Sequence, residues 1–280
     1  VAAVITLTTD FGTRDGYVAE LKAVILGLAA SARLVDITHE VEPQQVAEAA
    51  LTLGAVAPRF PPGTIHVAVV DPGVGTARRG IVLAAGHQLF VGPDNGLFSP
   101  FLRAPGWVAH QLSAPELRLP AVSPTFHGRD VFAPAAAYLA LGVEPARFGP
   151  PVQDPVTLAH PEPRQTGKGL AATVIHVDRF GNLVTSVDAG RLAGLGGGAT
   201  VRIRGRVLRV VRTFGDLPPG GLGALLGSRG WLEVVARDGS AASRLRAGRG
   251  TAVLVSPTRP ASGSRRRPLP ELRRNRRSRC

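Results

Sequence analysis

The chain of 280 residues contains one cysteine, Cys280 at its very end, and no methionine. A single thiol excludes an internal disulfide framework and any cysteine-rich zinc site, so a metal would have to be held by His and carboxylates. No run of about 18 apolar residues is present to cross a bilayer, which excludes a membrane partner for the chain itself. The opening VAAVITLTTDFG enters a strand pattern directly, without a basic leader or a small-residue cleavage site. The expectation is therefore no secretory signal and a cytoplasmic location, and the missing Met implies a start residue that is absent or removed. No internal repeat is found.

Lysine is nearly absent as well, occurring only at Lys22 and Lys168, so the net charge of +13 is carried almost entirely by Arg. Its location matters more than its size. From Pro257 onward nine Arg face Glu271 alone, a net +8, which leaves about +5 for the body of the chain. The terminal stretch reads as a solvated, disordered tail; apart from a non-specific tail contact, nucleic acid is not an expected partner. With 44% hydrophobic residues, the rest has material for one or two ordinary cores.

What is present is an alternation of patterns. Val4 to Thr9 (VITLTT) is a β-branched run, followed by a Gly-containing turn and by Val18, Leu21, Ile25 and Leu28 at helical spacing. A strand near Leu34 to Thr38, a helix from about Gln44 to Ala57 and a buried strand from Thr64 to Val70 follow. This order predicts an α/β sandwich, residues 1–147, with a mostly parallel sheet covered on both faces. Ile81 to Ala85 and Gln88 to Gly92, separated by Gly86-His87, predict a hairpin on that sheet. Asp130 to Leu141 predicts a helix with Pro134 in its first turn. Residues 148–169 are Pro-rich and read as a linker. Residues 170–256 hold short strand-like runs between Gly-rich turns and no convincing helix, which predicts a small antiparallel β-barrel; residues 257–280 are the tail.

Ligands of open α/β sheets bind beyond the carboxyl ends of the strands, where three segments place a carboxylate or imidazole beside glycine. These are TTDFGTRDGY (Thr8 to Tyr17), VVDPGVGTARRG (Val69 to Gly80) and TFHGRD (Thr125 to Asp130). Asp10 either caps the next helix or meets a ribose hydroxyl or an ammonium; Thr13 and Asp15 are better placed as caps. Asp71 and Arg78 make either an ordinary loop ion pair or part of a site. The GVGT between them matches neither a Walker loop nor a dinucleotide fingerprint, which disfavours a phosphate cradle. A lone His127 is more often structural than catalytic. With Asp71 and Arg78, however, it completes a set that can orient and polarise water, pointing to hydrolysis. No nucleophile-elbow Ser and no paired His spacing supports acyl transfer or zinc chemistry. In the second domain, Asp178, Phe180 and Asn182 form either a β-turn or a binding element. Ser228, Arg229 and Glu233 cluster around a turn and strand, where small polar and backbone groups suit an adenine edge.

With TTDFGTRDGY, DPGVGTARRG, GPDNGL, TFHGRD and DRFGNLVTS in one order, residues 4–256 resemble the S-adenosylmethionine hydrolase (hydroxide adenosyltransferase) family, relatives of the S-adenosylmethionine-dependent fluorinase and chlorinase. The resemblance implies hydrolysis of S-adenosyl-L-methionine to adenosine and L-methionine, with no cofactor and no metal. It also implies a homotrimer whose active sites lie between the N-terminal domain of one subunit and the C-terminal domain of its neighbour. Asp71, Arg78 and His127 match the water-activating triad, and Asp10 the carboxylate that holds the ribose. Asn182, with Asp178 and Phe180 beside it, matches the asparagine near the methionine or ribose. Ser228, Glu233 and the backbone of Ala236 match the adenine and methionine side. The alternatives are a chlorinase-like halogenase, which an Asp at position 71 disfavours by repelling a halide, and a non-catalytic S-adenosylmethionine or adenosine binder.

Overall fold

A computed structural model describes residues 2–159, 161–196 and 198–258; the Arg-rich stretch read as a disordered tail lies outside the described residues, apart from its first two positions. The chain divides into two units, Val1–His160 and Pro161–Cys280.

In the first unit the elements run β1 (Val4–Thr9), α1 (Tyr17–Leu28), β2 (Arg33–Thr38), α2 (Val46–Val56), β3 (Ile65–Val69), β4 (Gly80–Ala85), β5 (Gln88–Pro93), β6 (Val108–Gln111) and α3 (Ala133–Ala140). They build a six-stranded sheet of order β2-β1-β3-β5-β4-β6, in which β2, β1, β3 and β5 are parallel and β4 and β6 antiparallel to their neighbours. Side chains of a strand alternate between faces, so an unbroken apolar run is the mark of a strand covered on both sides. Residues 67–70 show it: Val67 and Val69 join Ile5, Leu7, Leu21, Ile25 and Phe132, while Ala68 and Val70 join Leu53, Ala57 and Phe90. The two-residue turn of the β4–β5 hairpin has positive φ at both Gly86 (57°) and His87 (63°). Turns of that hand match the twist of the strands they connect.

Three details differ from the sequence expectation. The strand β6 went unread, because its four residues carry no alternation long enough to register. The helix expected from Asp130 begins instead as one π-turn, Gly128–Phe132, before α3 takes over with Pro134 in its first turn. Proline has no N–H to bond the carbonyl four residues back, which frees Asp130 O, and Leu119 N donates to it at 3.0 Å. Within the stretch read as a linker, Pro150 and Val152 bond to β6 and Arg164–Thr166 is a strand.

The second unit comprises β7 (Arg164–Thr166), β8 (Gly169–Val177), β9 (Leu183–Asp188), α4 (Ala189–Ala193), β10 (Ala199–Ile203), β11 (Arg206–Arg209), β12 (Leu222–Leu226), β13 (Trp231–Ala236), α5 (Ala241–Leu245) and β14 (Ala252–Pro257). The antiparallel order β11-β10-β14-β8-β9-β13-β12, with β7 on β8, curls until Val210 bridges Ala224, closing a small barrel around Val174, Leu183, Val201, Leu232, Val234 and Val255. The expectation of no helix here is corrected by α4 and α5. Each is five residues long, too short for a periodic signal, and each starts on a side-chain cap: Asp188 accepts from Arg191 N, and Ser240 from Ser243 N.

Candidate active site

The chain leaves the buried end of β3 at Val70, turns through residues 71–79 and returns as β4, so Asp71 and Arg78 face each other across one loop. The turn is held from inside: Val74 N donates to Asp71 O (3.2 Å), and Thr76 Oγ1 to Gly73 O (2.7 Å). Gly75 has φ of 78°, and a Cβ there would lie 2.6 Å from Pro124 O, so only glycine fits where this loop meets the one ahead of His127. Arg78 Nε donates to both carboxylate oxygens of Asp71 (2.9 and 3.1 Å), and Nη2 donates to Oδ2 as well. Little of either side chain is exposed, 6% for Asp71 and 12% for Arg78. A charge pair this secluded is stabilised by its forked geometry rather than by solvent. The guanidinium also sits 5.2 Å from the centroid of Phe132.

His127 approaches from the other side, its Nδ1 3.0 Å from Arg78 Nη2. The structure thus joins carboxylate, guanidinium and imidazole in one array. Burial, followed by the positive charge of Arg78, holds the His127 pKa below its ordinary value, with Asp71 opposing. The segment carrying His127 is tied down by Asp130, which is fully buried and accepts from Ser123 N (2.8 Å) and Arg129 Nε (2.6 Å). Asn95 of GPDNGL, which sequence reasoning did not single out, donates through Nδ2 to Val70 O at 2.9 Å and so fixes the backbone immediately before Asp71. Its signal was present as an Asn-Gly pair just past the end of a strand.

Asp10 ends β1. Helix α1 has Gly16 at its N-cap and no side-chain cap, so neither Asp10, Thr13 nor Asp15 serves that purpose. Asp10 Oδ2 instead accepts from Gln44 N at 2.8 Å, and Gln44 adopts a φ of 67° to present that N–H. Next to it Phe11 packs edge-on against Phe126 (5.6 Å between centroids), so the loop after β1 and the loop carrying His127 share an aromatic wall. A Cβ on Gly128 would come within 3.4 Å of both rings.

In the second unit Asp178 proves to be a turn former. Its Oδ1 accepts from Phe180 N (2.9 Å) and Asn182 N (2.8 Å), and its Oδ2 from Asn182 Nδ2 (2.8 Å). The same turn leaves Phe180 76% exposed. Asn182 is buried, with its side-chain carbonyl and one N–H uncommitted to Asp178. Ser228 and Arg229 form the tight turn from β12 to β13, and Glu233 lies on β13 opposite Val184. Burial, and then the nearby Asp178 charge, raise the Glu233 pKa, against which Arg229 acts. Ala236 is buried at the end of β13, paired with Leu222. The first unit thus brings Asp71, Arg78 and His127 together and carries Asp10 separately, just past β1. In the second, Asp178, Phe180 and Asn182 share one turn, Glu233 lies within electrostatic reach of Asp178 and Arg229, and Ser228 and Ala236 stand in the β12–β13 turn and at the end of β13. Among the described residues no group of three or more His, Cys, Asp or Glu is placed to hold a metal ion, and no helix is long and apolar enough to cross a membrane.

Residues 5–149 match the SAM hydroxide adenosyltransferase N-terminal domain, and residues 172–254 the C-terminal domain of the same name. The (R)-S-adenosyl-L-methionine hydrolase of Salinispora arenicola is 44% identical over 245 residues, 86% of this chain and 93% of that protein. The enzyme of that name from Thermus thermophilus is also 44% identical, over 85% of this chain and 93% of its own. A fluorinase from Actinoplanes is 29% identical over 77% of this chain and 81% of that one. Among solved structures, an uncharacterized conserved protein from Thermotoga maritima superposes with a TM-score of 0.85 at 34% identity, over 90% of this chain and 99% of that one.

Proposed function

The chain belongs to the SAM hydroxide adenosyltransferase family, and from that premise we infer that it is an enzyme that hydrolyses S-adenosyl-L-methionine to adenosine and L-methionine. The observation that carries the reading is the Asp71–Arg78–His127 array, in which the guanidinium bridges a carboxylate and an imidazole at the end of a buried strand. In this reading a water held by Asp71 and His127 attacks the ribose C5′ in line with the sulfonium. The new C–O bond forms as the C–S bond breaks, and its electron pair leaves on sulfur, which becomes the neutral thioether of methionine. The proton of the attacking water passes to Asp71 or to solvent. A sulfonium needs no protonation to leave, so catalysis rests on positioning and desolvating the nucleophile and calls for no metal or cofactor.

Asp10 holds the ribose in this reading. Asp178, Phe180 and Asn182 meet the methionine or ribose, and Ser228, Arg229, Glu233 and the backbone of Ala236 line the adenine and methionine side. A homotrimer with sites between subunits, and a cytoplasmic location, belong to the same proposal. The relatives are named for the (R) sulfonium configuration, which makes that epimer the first substrate to offer.

The test is to incubate purified protein with each sulfonium epimer, with and without chloride, and identify products by chromatography, with Asp71→Ala and His127→Ala as controls. Adenosine and methionine from the parent alone support the hydrolase. A chloride-dependent 5′-chloroadenosine would make it a halogenase, and tight binding without turnover a sensor.

A further inference from the structure

Among the described residues no guanidinium or ammonium pairs with Asp10, and its aim depends on the backbone to either side. Thr9 before it, Phe11 after it and Gly12 beyond all bond, directly or through one atom, to a single residue of the next strand-end loop, His39. Thr9 Oγ1 lies 2.8 Å from His39 Nδ1 and accepts from Phe11 N at 3.3 Å, and Gly12 N donates to His39 O at 2.7 Å. On the far side of the ring, Nε2 lies 3.1 Å from Asp36 Oδ1, close enough for charge attraction although off-line for a full hydrogen bond. Asp36 Oδ2 in turn takes Lys22 Nζ at 2.6 Å.

Of the two neutral tautomers, one suits these contacts. A proton on Nε2 faces the Asp36 carboxylate, Nδ1 takes the Thr9 hydroxyl proton, and the Thr9 oxygen is left with lone pairs for Phe11 N–H. The sequence of groups, hydroxyl to imidazole to carboxylate, resembles that of a nucleophilic triad. Its burial rules out that use: Thr9 is 0% and His39 5% exposed, so no substrate reaches the hydroxyl. What the array does is lock the three residues that bracket Asp10.

We propose that His39 is a positioning residue for the substrate, anchored by Asp36 and Lys22, that sets the Asp10 carboxylate through Thr9, Phe11 and Gly12. The proposal rests on the reading that Asp10 holds the ribose. A group that binds ground state and transition state alike shows itself in KM rather than kcat, and losing its alignment acts in the same direction.

The experiment is steady-state kinetics on S-adenosyl-L-methionine for Asp10→Asn, His39→Leu, His39→Asn and Thr9→Val, each with its urea midpoint. Asp10→Asn and His39→Leu should both raise KM, His39→Leu by about tenfold, with kcat changed far less, since one buried hydrogen bond is at stake. His39→Asn keeps an acceptor where Nδ1 stood and should recover most of the loss; a merely space-filling role would give no such rescue. Should His39→Leu fail to fold, Thr9→Val, nearly isosteric, tests the same link and is expected to raise KM alone. KM unchanged in His39→Leu and Thr9→Val while Asp10→Asn raises it would overturn the positioning role and leave the ribose reading standing. No effect of Asp10→Asn would remove both.

Discussion

Arg78 and His127 meet in a contact that fixes the orientation of the imidazole: Arg78 Nη2 is 3.0 Å from His127 Nδ1. A guanidinium only donates, so Nδ1 is the acceptor and the ring proton sits on Nε2. In the proposed reaction His127 therefore offers the water a donor, with Asp71 as the acceptor. Burial and the Arg78 charge lower the His127 pKa from 6.5, so the imidazole stays neutral at pH 7 and accepts a proton only below its ordinary range. An NMR titration should place His127 below 6.5 in the parent. In Arg78→Met, where the nearest positive charge is gone, it should titrate at higher pH. An unchanged titration would mean that the guanidinium does not set the state of the ring.

Asp71 is the only carboxylate in the triad. Asp71→Asn keeps the shape and one acceptor but removes the charge that pairs Arg78 and that, in the proposed reaction, orients water. A loss of about 100-fold in kcat is expected, within the range of positioned acid–base groups, with KM moved little if the side chain meets the attacking water as proposed. Equal activity of Asp71→Asn and parent would remove this residue from the chemistry. Activity of the parent in the presence of a strong chelator should be undiminished.

How much of this was legible in the sequence follows from how local each signal is. The β3 run and the β4–β5 turn are written in consecutive residues, and so is the loop that joins Asp71 to Arg78 seven positions on. Nothing local says that His127, 49 residues after Arg78, reaches the same guanidinium; the motif order suggested it, and in the fold Arg78 meets both His127 and Phe132. Asn95 was hidden for the same reason, since its partner Val70 O is 25 residues away. The π-turn before α3 was half legible: Pro134 announces a missing N–H, but which carbonyl it frees, and that Leu119 takes it up, is a tertiary fact. Asp178 reads equally well as a ligand or a turn former until its two backbone acceptor contacts are seen.

Gly227 makes room for Glu233. A Cβ there would lie 1.9 Å from Glu233 Oε1, the far end of a flexible side chain rather than backbone, and Gly227 has no positive φ to lose. Gly227→Ala should therefore leave the fold nearly as stable as the parent, within about 1 kcal/mol, while swinging the Glu233 carboxyl away from its half-buried seat. If Glu233 faces substrate as proposed, KM for S-adenosyl-L-methionine rises and the urea midpoint stays; a variant with parental KM would show that this carboxyl does not contact substrate.

His66 gives a stability effect unconnected with the site. It is fully buried on β3, stacked on Phe90 at 5.0 Å, with Nδ1 on Thr6 Oγ1 at 2.7 Å and, among the described residues, no well-aligned hydrogen bond to Nε2, although Gln88 is near. Burial lowers its pKa from 6.5 to about 4. The unfolded chain, in which the ring titrates near its ordinary value, takes up the proton first as pH falls. The stability that His66 protects is thus complete above pH 6.5, drains away as pH drops from there to about 4, and is lost no further below. A depression of this size corresponds to roughly 3 kcal/mol over that window. Urea midpoints taken between pH 7 and pH 4 should fall more steeply for the parent than for His66→Leu, whose absolute stability differs for other reasons but whose ring no longer titrates. Parallel slopes in the two proteins would mean that the buried imidazole finds a way to hold its proton without opening the sheet.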